Sequence, residues 1–382
     1  MTPKESLLPP DSLAQRVINK PRITIFTDVH GGSESSARSG VHPLDVYGVN
    51  KDTDTHFVFL GDVPDKGPRT KEVFERLMEL DRAGRFTGVM GNHDAIFASL
   101  VMSMAGGVQD LPLLNTFLKS GGLQTLQSYG IGVESILGQV GGGIEPTEYF
   151  EGTPYYGYDS LKKPLKATKF GDEFLTRTWH ELTSIFGSRQ DVRSHSNFIT
   201  TRFQPYAIAN GILAVHAGVP IDESGIPLAI SMADFMEDHS GKWSDKSLQG
   251  LDFLDELGNH FSDVDVLRRI ALKKRGENGK KIDDFVNPMR AEKFFKTIDR
   301  TRYHGAENAH NLFQFVKLQA AERGAQVNQI AYGHMPREFH KFGSRIHYLD
   351  GYRDKPVNIL ESNMAKGWLG GSVYKYRNVS RI

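Results

Sequence analysis

Metal-ligating side chains recur in this sequence where apolar segments end. A tetrapeptide, Gly91-Asn92-His93-Asp94, follows the apolar segment 86–90 and places an amide, an imidazole and a carboxylate in consecutive positions. Carboxylates or imidazoles also follow the other apolar segments, at Asp28, His30, Asp62, Asp65, His216 and His334. These groups bind divalent first-row metals, and one carboxylate can bridge two ions about 3.5–4 Å apart. The pattern indicates a metal site, with two-metal hydrolysis as its most direct chemistry.

Each of these residues also has an ordinary structural explanation. A lone Asp or His after a strand usually forms a turn or a hydrogen bond at the surface. Asn92 and Asp94 are good caps for a following helix, and His216 can be a buried histidine with satisfied hydrogen bonds. The joint pattern favours metal chemistry, because independent clusters of the same ligand type all end apolar segments.

The elements that must position these residues alternate along the chain. Segments 22–27, 56–60 and 86–90 predict strands, because apolar, β-branched and aromatic residues dominate them. Helical periodicity follows in segments 68–84 and 95–105. Strand, loop and helix in this order predict a largely parallel α/β sheet. Ligands bind at the carboxyl ends of the strands in such sheets, which is where the polar clusters fall.

Composition limits the class of protein and the kind of metal site. The chain has 382 residues, of which 39% are apolar, enough for a substantial core. It contains 46 basic and 46 acidic residues, and this balance argues against a nucleic-acid binder. Cysteine is absent, so a metal must be held by His, Asp, Glu or Asn. The sequence contains neither a secretory signal nor an apolar segment long enough to span a membrane.

The order of the motifs resembles a known family. Its members share the motifs found here as Asp28-x-His30-Gly31, Gly61-Asp62-x-x-Asp65-Lys66-Gly67, Gly91-Asn92-His93-Asp94, His216-Ala217-Gly218 and Gly333-His334. This set resembles the calcineurin-like metallophosphoesterases. It is more similar to the phosphoprotein phosphatase branch, which includes bacterial protein phosphatases and diadenosine tetraphosphate hydrolases. Segment 121–126, Gly-Gly-Leu-Gln-Thr-Leu, also resembles the bacterial members.

The resemblance implies a fold and a division of the chain. The expected fold is a four-layer α/β sandwich, with two central mixed sheets flanked by helices and a largely helical cap insertion. We expect an N-terminal lead-in at residues 1–20 and a metallophosphatase domain at 21–382. The cap would occupy about 106–205, and a second, charged helical insertion about 221–300. We expect a cytoplasmic protein, or an effector exported without a cleaved signal peptide.

The resemblance also implies a role for each matching residue. Six of them would bind two divalent ions, with Asp62 bridging both: Asp28 and His30 on the first ion, and Asn92, His216 and His334 on the second. His93 would be the general acid, oriented by Asp65. Manganese is the expected metal, and iron or zinc remains open because oxygen and nitrogen ligands do not distinguish them.

Phosphate binding is where the sequence departs from the family pattern. The branch usually has Arg at the position of Lys66, and Lys offers a point charge instead of a bidentate fork. A second phosphate-binding residue is expected before His334, and Arg302 is our choice, with Arg300 as its substitute. A solvated surface position is an equally good explanation of both arginines.

The function implied is metal-dependent hydrolysis of phosphomonoesters on proteins. A hydroxide bridging the two ions would attack phosphorus in line, and His93 would protonate the leaving oxygen. The substrate would be a phosphorylated protein or peptide, carrying phosphoserine, phosphothreonine or phosphotyrosine. One alternative is hydrolysis of diadenosine tetraphosphate with the same metals. Another is a catalytically silent protein-binding module on the same fold.

Overall fold

Two mixed sheets form the centre of the molecule. The computed structural model describes residues 16–32, 41–50, 53–132, 172–221, 225–237, 248–272, 289, 304–334, 341–342, 345–349, 357–364 and 372–379. Within these residues, each sheet has six strands. Small aliphatic side chains from both sheets form one buried cluster between them, including Ile25 and Val58 from one and Ala214 and Ala331 from the other. The predicted sandwich of two mixed sheets is confirmed.

The first sheet contains the three strands predicted from the apolar segments. Its order is β14-β13-β2-β3-β4-β5. Strands β2 to β5 are parallel neighbours, and β13 and β14 add an antiparallel edge. Their bounds are Arg22–Phe26 (β2), Thr55–Phe59 (β3), Phe86–Val89 (β4), Phe203–Gln204 (β5), Val357–Met364 (β13) and Ser372–Val379 (β14). Because β2, β3 and β4 run in one direction, their following loops meet at one edge.

The second sheet has the order β1-β6-β7-β10-β12-β11. Strand β10 is parallel to both β7 and β12, so the loops after β7 and β10 also lie side by side. The bounds are Val17–Ile18 (β1), Tyr206–Ala209 (β6), Ile212–Val215 (β7), Gln329–Tyr332 (β10), Lys341–Phe342 (β11) and Ile346–Tyr348 (β12). A separate two-stranded ribbon joins Ala229–Ile230 (β8) to Leu248–Gln249 (β9).

Strand β1 lies within the segment predicted as a lead-in. Val17 pairs with Ile208, and the side chain of Ile18 is buried. The second sheet therefore begins before residue 21. A strand of two residues carries too little periodicity to be recognised in the sequence, since alternation needs at least four residues.

Helices cover the sheets. They are Thr70–Arg82 (α1), Asn92–Ala105 (α2), Leu111–Phe117 (α3), Leu123–Ser128 (α4), Asp172–Ser188 (α5), Gln190–Arg202 (α6), Met232–Glu237 (α7), Leu251–Gly258 (α8), Val264–Ala271 (α9) and His304–Glu322 (α10). Helix α2 contacts α3, α5, α6 and α9 and buries twelve of its fourteen residues. None of the helices in the described ranges has the length and apolarity needed to cross a membrane.

The described part of segment 106–205 packs into the main core. Phe117, Leu182 and Val192 belong to the same buried cluster as the first sheet's aromatic residues. A π-helical turn, Leu118–Gly122, separates α3 from α4, and Gly121 within it has φ 103°. The break therefore falls where the sequence places two adjacent glycines. The division of the chain into a domain and two insertions stays a prediction.

Candidate metal centre and active site

The loops that follow the strands of the two sheets meet at one place. The backbone N–H of Asp28 donates to the carbonyl of Gly61 at 3.0 Å, and that of His30 donates to the carbonyl of Asp62 at 3.0 Å. In the second sheet, the Gly333 N–H donates to the His216 carbonyl at 2.7 Å. These hydrogen bonds fix neighbouring loops to each other. The predicted ligands from both sheets consequently face one centre.

The backbone of these loops is strained. Seven described residues other than glycine have a positive φ, and six belong to the centre. These six are Asp28 (51°), His30 (48°), Asp62 (67°), Asp65 (74°), Lys66 (62°) and His334 (82°). Such conformations cost about 1–3 kcal/mol each and persist only where surrounding structure enforces them. Here they direct consecutive polar side chains towards the same point.

Two glycines leave room for the carboxylates. A Cβ on Gly91 would lie 2.3 Å from Asp62 Oδ1, and one on Gly333 would lie 2.5 Å from Asp28 Oδ2. Any larger residue at either position would displace a predicted ligand. The glycines of the sequence motifs are thus required by close approach of the backbone to the carboxylates.

Asp62 stands at the middle of the centre. Its Oδ2 lies 3.7 Å from His30 Nε2, 3.8 Å from His93 Nε2 and 3.5 Å from His216 Nε2. Its Oδ1 accepts a hydrogen bond from the His93 N–H at 3.0 Å. Two groups of potential ligands share it, with ligand atoms within 4.8 Å of one another: His30, Asp62 and His93, and Asp62, His216 and His334.

Asp28 supplies a buried oxygen that lacks a donor. Its Oδ2 accepts hydrogen bonds from the Thr27 hydroxyl and, at 3.0 Å, from the His334 N–H. Its Oδ1 is buried, accepts no hydrogen bond within the described ranges, and lies 3.7 Å from His30 Nε2. An unsatisfied buried carboxylate oxygen is costly. A divalent cation would satisfy it, so the donor set fits a metal.

Backbone carbonyls set the orientation of two imidazoles. His30 Nδ1 donates to the Pro64 carbonyl at 3.0 Å, and His216 Nδ1 donates to the Leu60 carbonyl. In each ring this leaves Nε2 unprotonated and facing the centre, as in histidines that bind metals. Burial lowers the pKa of His216, which favours the neutral form that a metal requires.

The second group of ligands is completed across the two sheets. His216 Nε2 lies 3.3 Å from Asn92 Oδ1 and 3.2 Å from His334 Nδ1. Asn92 begins α2 after the first sheet, whereas both histidines follow strands of the second sheet. All six predicted metal ligands are therefore brought together.

His93 and Asp65 form a hydrogen-bonded pair. His93 Nδ1 lies 2.6 Å from Asp65 Oδ2, and the Asp65 side chain is fully buried. Burial raises the pKa of Asp65 well above its usual range. Because Nδ1 is engaged, the His93 Nε2 is the atom that faces Asp62 and the centre. The predicted acid and its predicted orienting residue are thus in contact.

Lys66 lies at the edge of the centre. Its Nζ is 2.7 Å from His30 Nε2, so the ammonium adds positive charge beside the carboxylates of Asp28 and Asp62. The other predicted phosphate ligand, Arg302, and its substitute Arg300 lie outside the described residues.

Asp94 has a structural role. Its carboxylate accepts hydrogen bonds from the backbone N–H groups of Gly91 (2.9 Å), Asp62 (2.8 Å) and Val63 (3.0 Å). Burial and the charge of Asp62 raise the pKa of Asp94 to about 7. The prediction that α2 begins at Ala95 is wrong, because Gly91 is the N-cap and Asp94 already lies in the first turn.

Several supporting groups are not apparent from the sequence. The carbonyls of Leu60 and Pro64 orient imidazoles, and no sequence signal identifies a carbonyl. Thr27 bonds Asp28, and Thr125 bonds Asp65. For Thr125 a signal exists, since it closely follows two adjacent glycines at positions 121 and 122.

Comparison with protein families gives a match over most of the chain. Residues 21–353 match the calcineurin-like phosphoesterase family. No curated protein sequence matches the chain. Similar solved structures include a cold-active protein tyrosine phosphatase from a psychrophilic Shewanella species, at 14% identity and TM-score 0.40, covering 94% of this chain and 82% of that one.

Two further structures show the same distant likeness. A putative diadenosine tetraphosphatase has 11% identity and TM-score 0.34, covering 94% of this chain and 97% of that one. A serine/threonine phosphatase from Saccharomyces cerevisiae has 12% identity and TM-score 0.36, covering 98% and 87%. The family match spans most of the chain and confirms the resemblance seen in the motifs. The chain belongs to the calcineurin-like phosphoesterase family.

Proposed function

We propose that this protein is a dinuclear metal-dependent phosphatase that hydrolyses phosphomonoesters on proteins. The observation that carries the proposal is the position of Asp62, whose carboxylate lies close both to His30 and to His216 and His334 in groups that could hold a metal ion. One carboxylate in such a position can bridge the two ions of a two-metal hydrolytic site. The unsatisfied oxygen of Asp28 supports the same conclusion, because it needs a cation.

Each ion would have its own ligands besides Asp62. Asp28 and His30 would hold the first, and Asn92, His216 and His334 the second. We propose manganese, with iron or zinc as alternatives, because oxygen and nitrogen donors without thiolate suit all three. Two divalent ions bound there would supply positive charge to the phosphoryl group and promote ionisation of the attacking water.

Side chains of the protein would protonate the leaving group and contact the phosphate. His93 Nε2 faces the centre while its Nδ1 is engaged by Asp65, so the ring can donate a proton from Nε2 to the departing oxygen. The Asp65 carboxylate would stabilise the protonated imidazole. Lys66 would contact one phosphate oxygen, since an ammonium acts as a point charge, and this suits the single phosphoryl group of a monoester.

A substrate panel after metal removal tests the proposal. The protein is dialysed against EDTA, metal content is measured, and Mn²⁺, Fe²⁺ or Zn²⁺ is returned. We expect phosphate release from phosphoserine, phosphothreonine or phosphotyrosine peptides only after metal is restored. Full activity in the metal-free protein would overturn the proposal. Preferred cleavage of diadenosine tetraphosphate would indicate a dinucleotide hydrolase instead of a protein phosphatase. Absence of bound metal at saturating Mn²⁺ would favour a catalytically silent binding module.

A further inference from the structure

Helix α4 reaches the pair formed by Asp65 and His93. We propose that Thr125 is a positioning residue for proton donation, holding Asp65 so that its carboxylate orients His93. This inference rests on the proposed function, because it takes His93 to be the proton donor. It assigns a role to a residue outside the predicted ligand and acid set. It concerns how the acid is held, and it can fail while the phosphatase proposal stands.

The Thr125 hydroxyl bonds Asp65 twice. The Asp65 N–H donates to Thr125 Oγ1 at 2.8 Å, and the hydroxyl donates to Asp65 Oδ1 at 3.1 Å. Both residues are fully buried, so water cannot replace either bond. One hydroxyl thereby fixes the backbone and the side chain of Asp65 together. With Oδ1 occupied, Oδ2 remains for His93 Nδ1 at 2.6 Å.

The π-helical turn before α4 contacts Lys66, the residue that follows Asp65. Gly121 has φ 103°, and its carbonyl accepts from the Lys66 N–H at 3.4 Å. A Cβ on Gly121 would lie 2.6 Å from that nitrogen. Asp65 and Lys66 both have positive φ. The π-helical turn and the start of α4 therefore contact two consecutive strained residues and keep them in place.

Another hydroxyl in this part of the chain behaves differently. Thr116 donates to the Pro112 carbonyl of its own helix at 2.9 Å. Such bonds within a helix are the usual outcome for threonine and serine. Thr125 instead bonds a residue 60 positions away in sequence. Its hydroxyl therefore stabilises the loop that contains Asp65 and makes no bond within its own helix in the described ranges.

This arrangement predicts a dependence on the leaving group. A proton donor matters most when the departing oxygen is strongly basic, as in phenyl phosphate. It matters little for 2,4-dinitrophenyl phosphate, whose phenolate leaves without a proton. Loss of the Thr125 hydroxyl should therefore slow the first ester selectively. A residue needed only for folding would slow both esters alike.

The test compares Thr125→Val with Thr125→Ser in the Mn²⁺-loaded protein. General acid catalysis contributes about 10²–10⁴-fold, and we expect partial misplacement of the acid to lower kcat for phenyl phosphate by about 10–100-fold. The KM, the metal content and the kcat for 2,4-dinitrophenyl phosphate should change by about threefold or less. Thr125→Ser, which keeps the hydroxyl, should restore most of the loss. Thr116→Val is the matched control and should resemble the parent.

A double variant gives an independent readout. In His93→Asn, adding Thr125→Val should change kcat by less than about twofold, because the residue acts through His93. If Thr125→Val is too unstable to assay, Thr125→Cys keeps a similar volume and weakens the same bonds. Equal losses on both esters, or no rescue by serine, would overturn the role of Thr125. An inactive parent protein would instead overturn the proposed function.

Discussion

Two buried polar clusters in this molecule differ in how their charges are paired. In the ion cluster of Arg16, Tyr206, Asp255 and Arg323, Asp255 Oδ1 accepts from the Tyr206 hydroxyl at 2.9 Å and from Arg16. Asp255 Oδ2 lies 3.6 Å from Arg323 Nε. Both oxygens thus have partners. In the metal centre, one buried oxygen of Asp28 accepts no hydrogen bond in the described ranges.

The backbone distinguishes the clusters in the same way. None of the four members of the ion cluster has a positive φ, whereas six residues of the metal centre do. The ion cluster joins β6 and α8 to the residues that precede β1 and follow α10, so its evident role is to hold these elements together. Burial is common to both clusters. The two clusters differ in the unsatisfied carboxylate oxygen and in the strained backbone, which occur in the candidate metal centre and not in the ion cluster that stabilises the fold.

The largest effect should come from the shared carboxylate. Asp62→Asn removes the charge common to both ligand groups, and we expect bound Mn²⁺ to fall below about one ion per chain and phosphate release to fall to background. Asp252→Asn is the control, because the Asp252 carboxylate pairs with Arg323 beside the ion cluster. This variant should retain both the bound Mn²⁺ and the phosphate release. Normal activity of Asp62→Asn would remove the basis for a two-metal centre.

A smaller loss should follow from the acid itself. We expect His93→Asn to lower kcat for phosphopeptides by about 10²–10⁴-fold. Metal content should stay near that of the parent, because His93 Nδ1 is engaged by Asp65 and the ring is assigned to the leaving group. Metal analysis by plasma mass spectrometry checks this assignment. Loss of one ion would show that His93 is a ligand, which its distance to Asp62 also permits.

The ion cluster should respond in stability instead of turnover. Asp255→Ala leaves Arg16 buried without its partner, and we expect the free energy of unfolding to fall by about 3–5 kcal/mol. The kcat of the folded fraction should be unchanged. Denaturant titration and initial rates at low temperature measure the two quantities. A large fall in kcat with normal stability would mean that the two clusters are not separate in function.

Acid should destabilise the protein through a neutral buried histidine. The Tyr129 hydroxyl lies 2.6 Å from His195 Nδ1, and burial lowers the pKa of His195 to about 4. Below about pH 6.5 the unfolded chain binds a proton here that the folded chain does not, so stability falls as pH drops towards about 4.

The expected loss at pH 5 is on the order of 1–2 kcal/mol. His195→Gln should reduce this sensitivity, while His180→Gln, at an exposed position of the adjacent helix, should leave it unchanged. Melting temperatures between pH 7 and 5 measure the difference. Identical acid sensitivity in the two variants would assign the effect to other groups.

Local signals in the sequence predicted the ligands well. An apolar segment followed by Asp or His is visible without structure, and parallel strands bring such ends together, so Asp28, Asp62 and Asn92 could be placed in one site. The contacts across the two sheets, such as His216 with Asn92, follow once the family fold is assumed. The sequence alone gives no distance between the sheets.

The supporting contacts could not be predicted, for physical reasons. The carbonyl of Leu60 is chemically like any other, and its use depends on where the second sheet places His216. Strand β1 is too short for a periodic pattern. Thr125 follows a break in the helix at Gly121, and the sequence does not indicate that its hydroxyl faces Asp65.

One hydrogen bond links residues that are far apart in the order of synthesis. The His334 N–H donates to Asp28 Oδ2 across a separation of 306 residues. Before His334 has emerged from the ribosome, a growing chain lacks the histidine that lies with Asp62 and His216. It also lacks the N–H group that donates to Asp28. With the proposed ligands, the complete centre can form only after residue 334 has been synthesised. A nascent or truncated fragment without His334 would lack that centre.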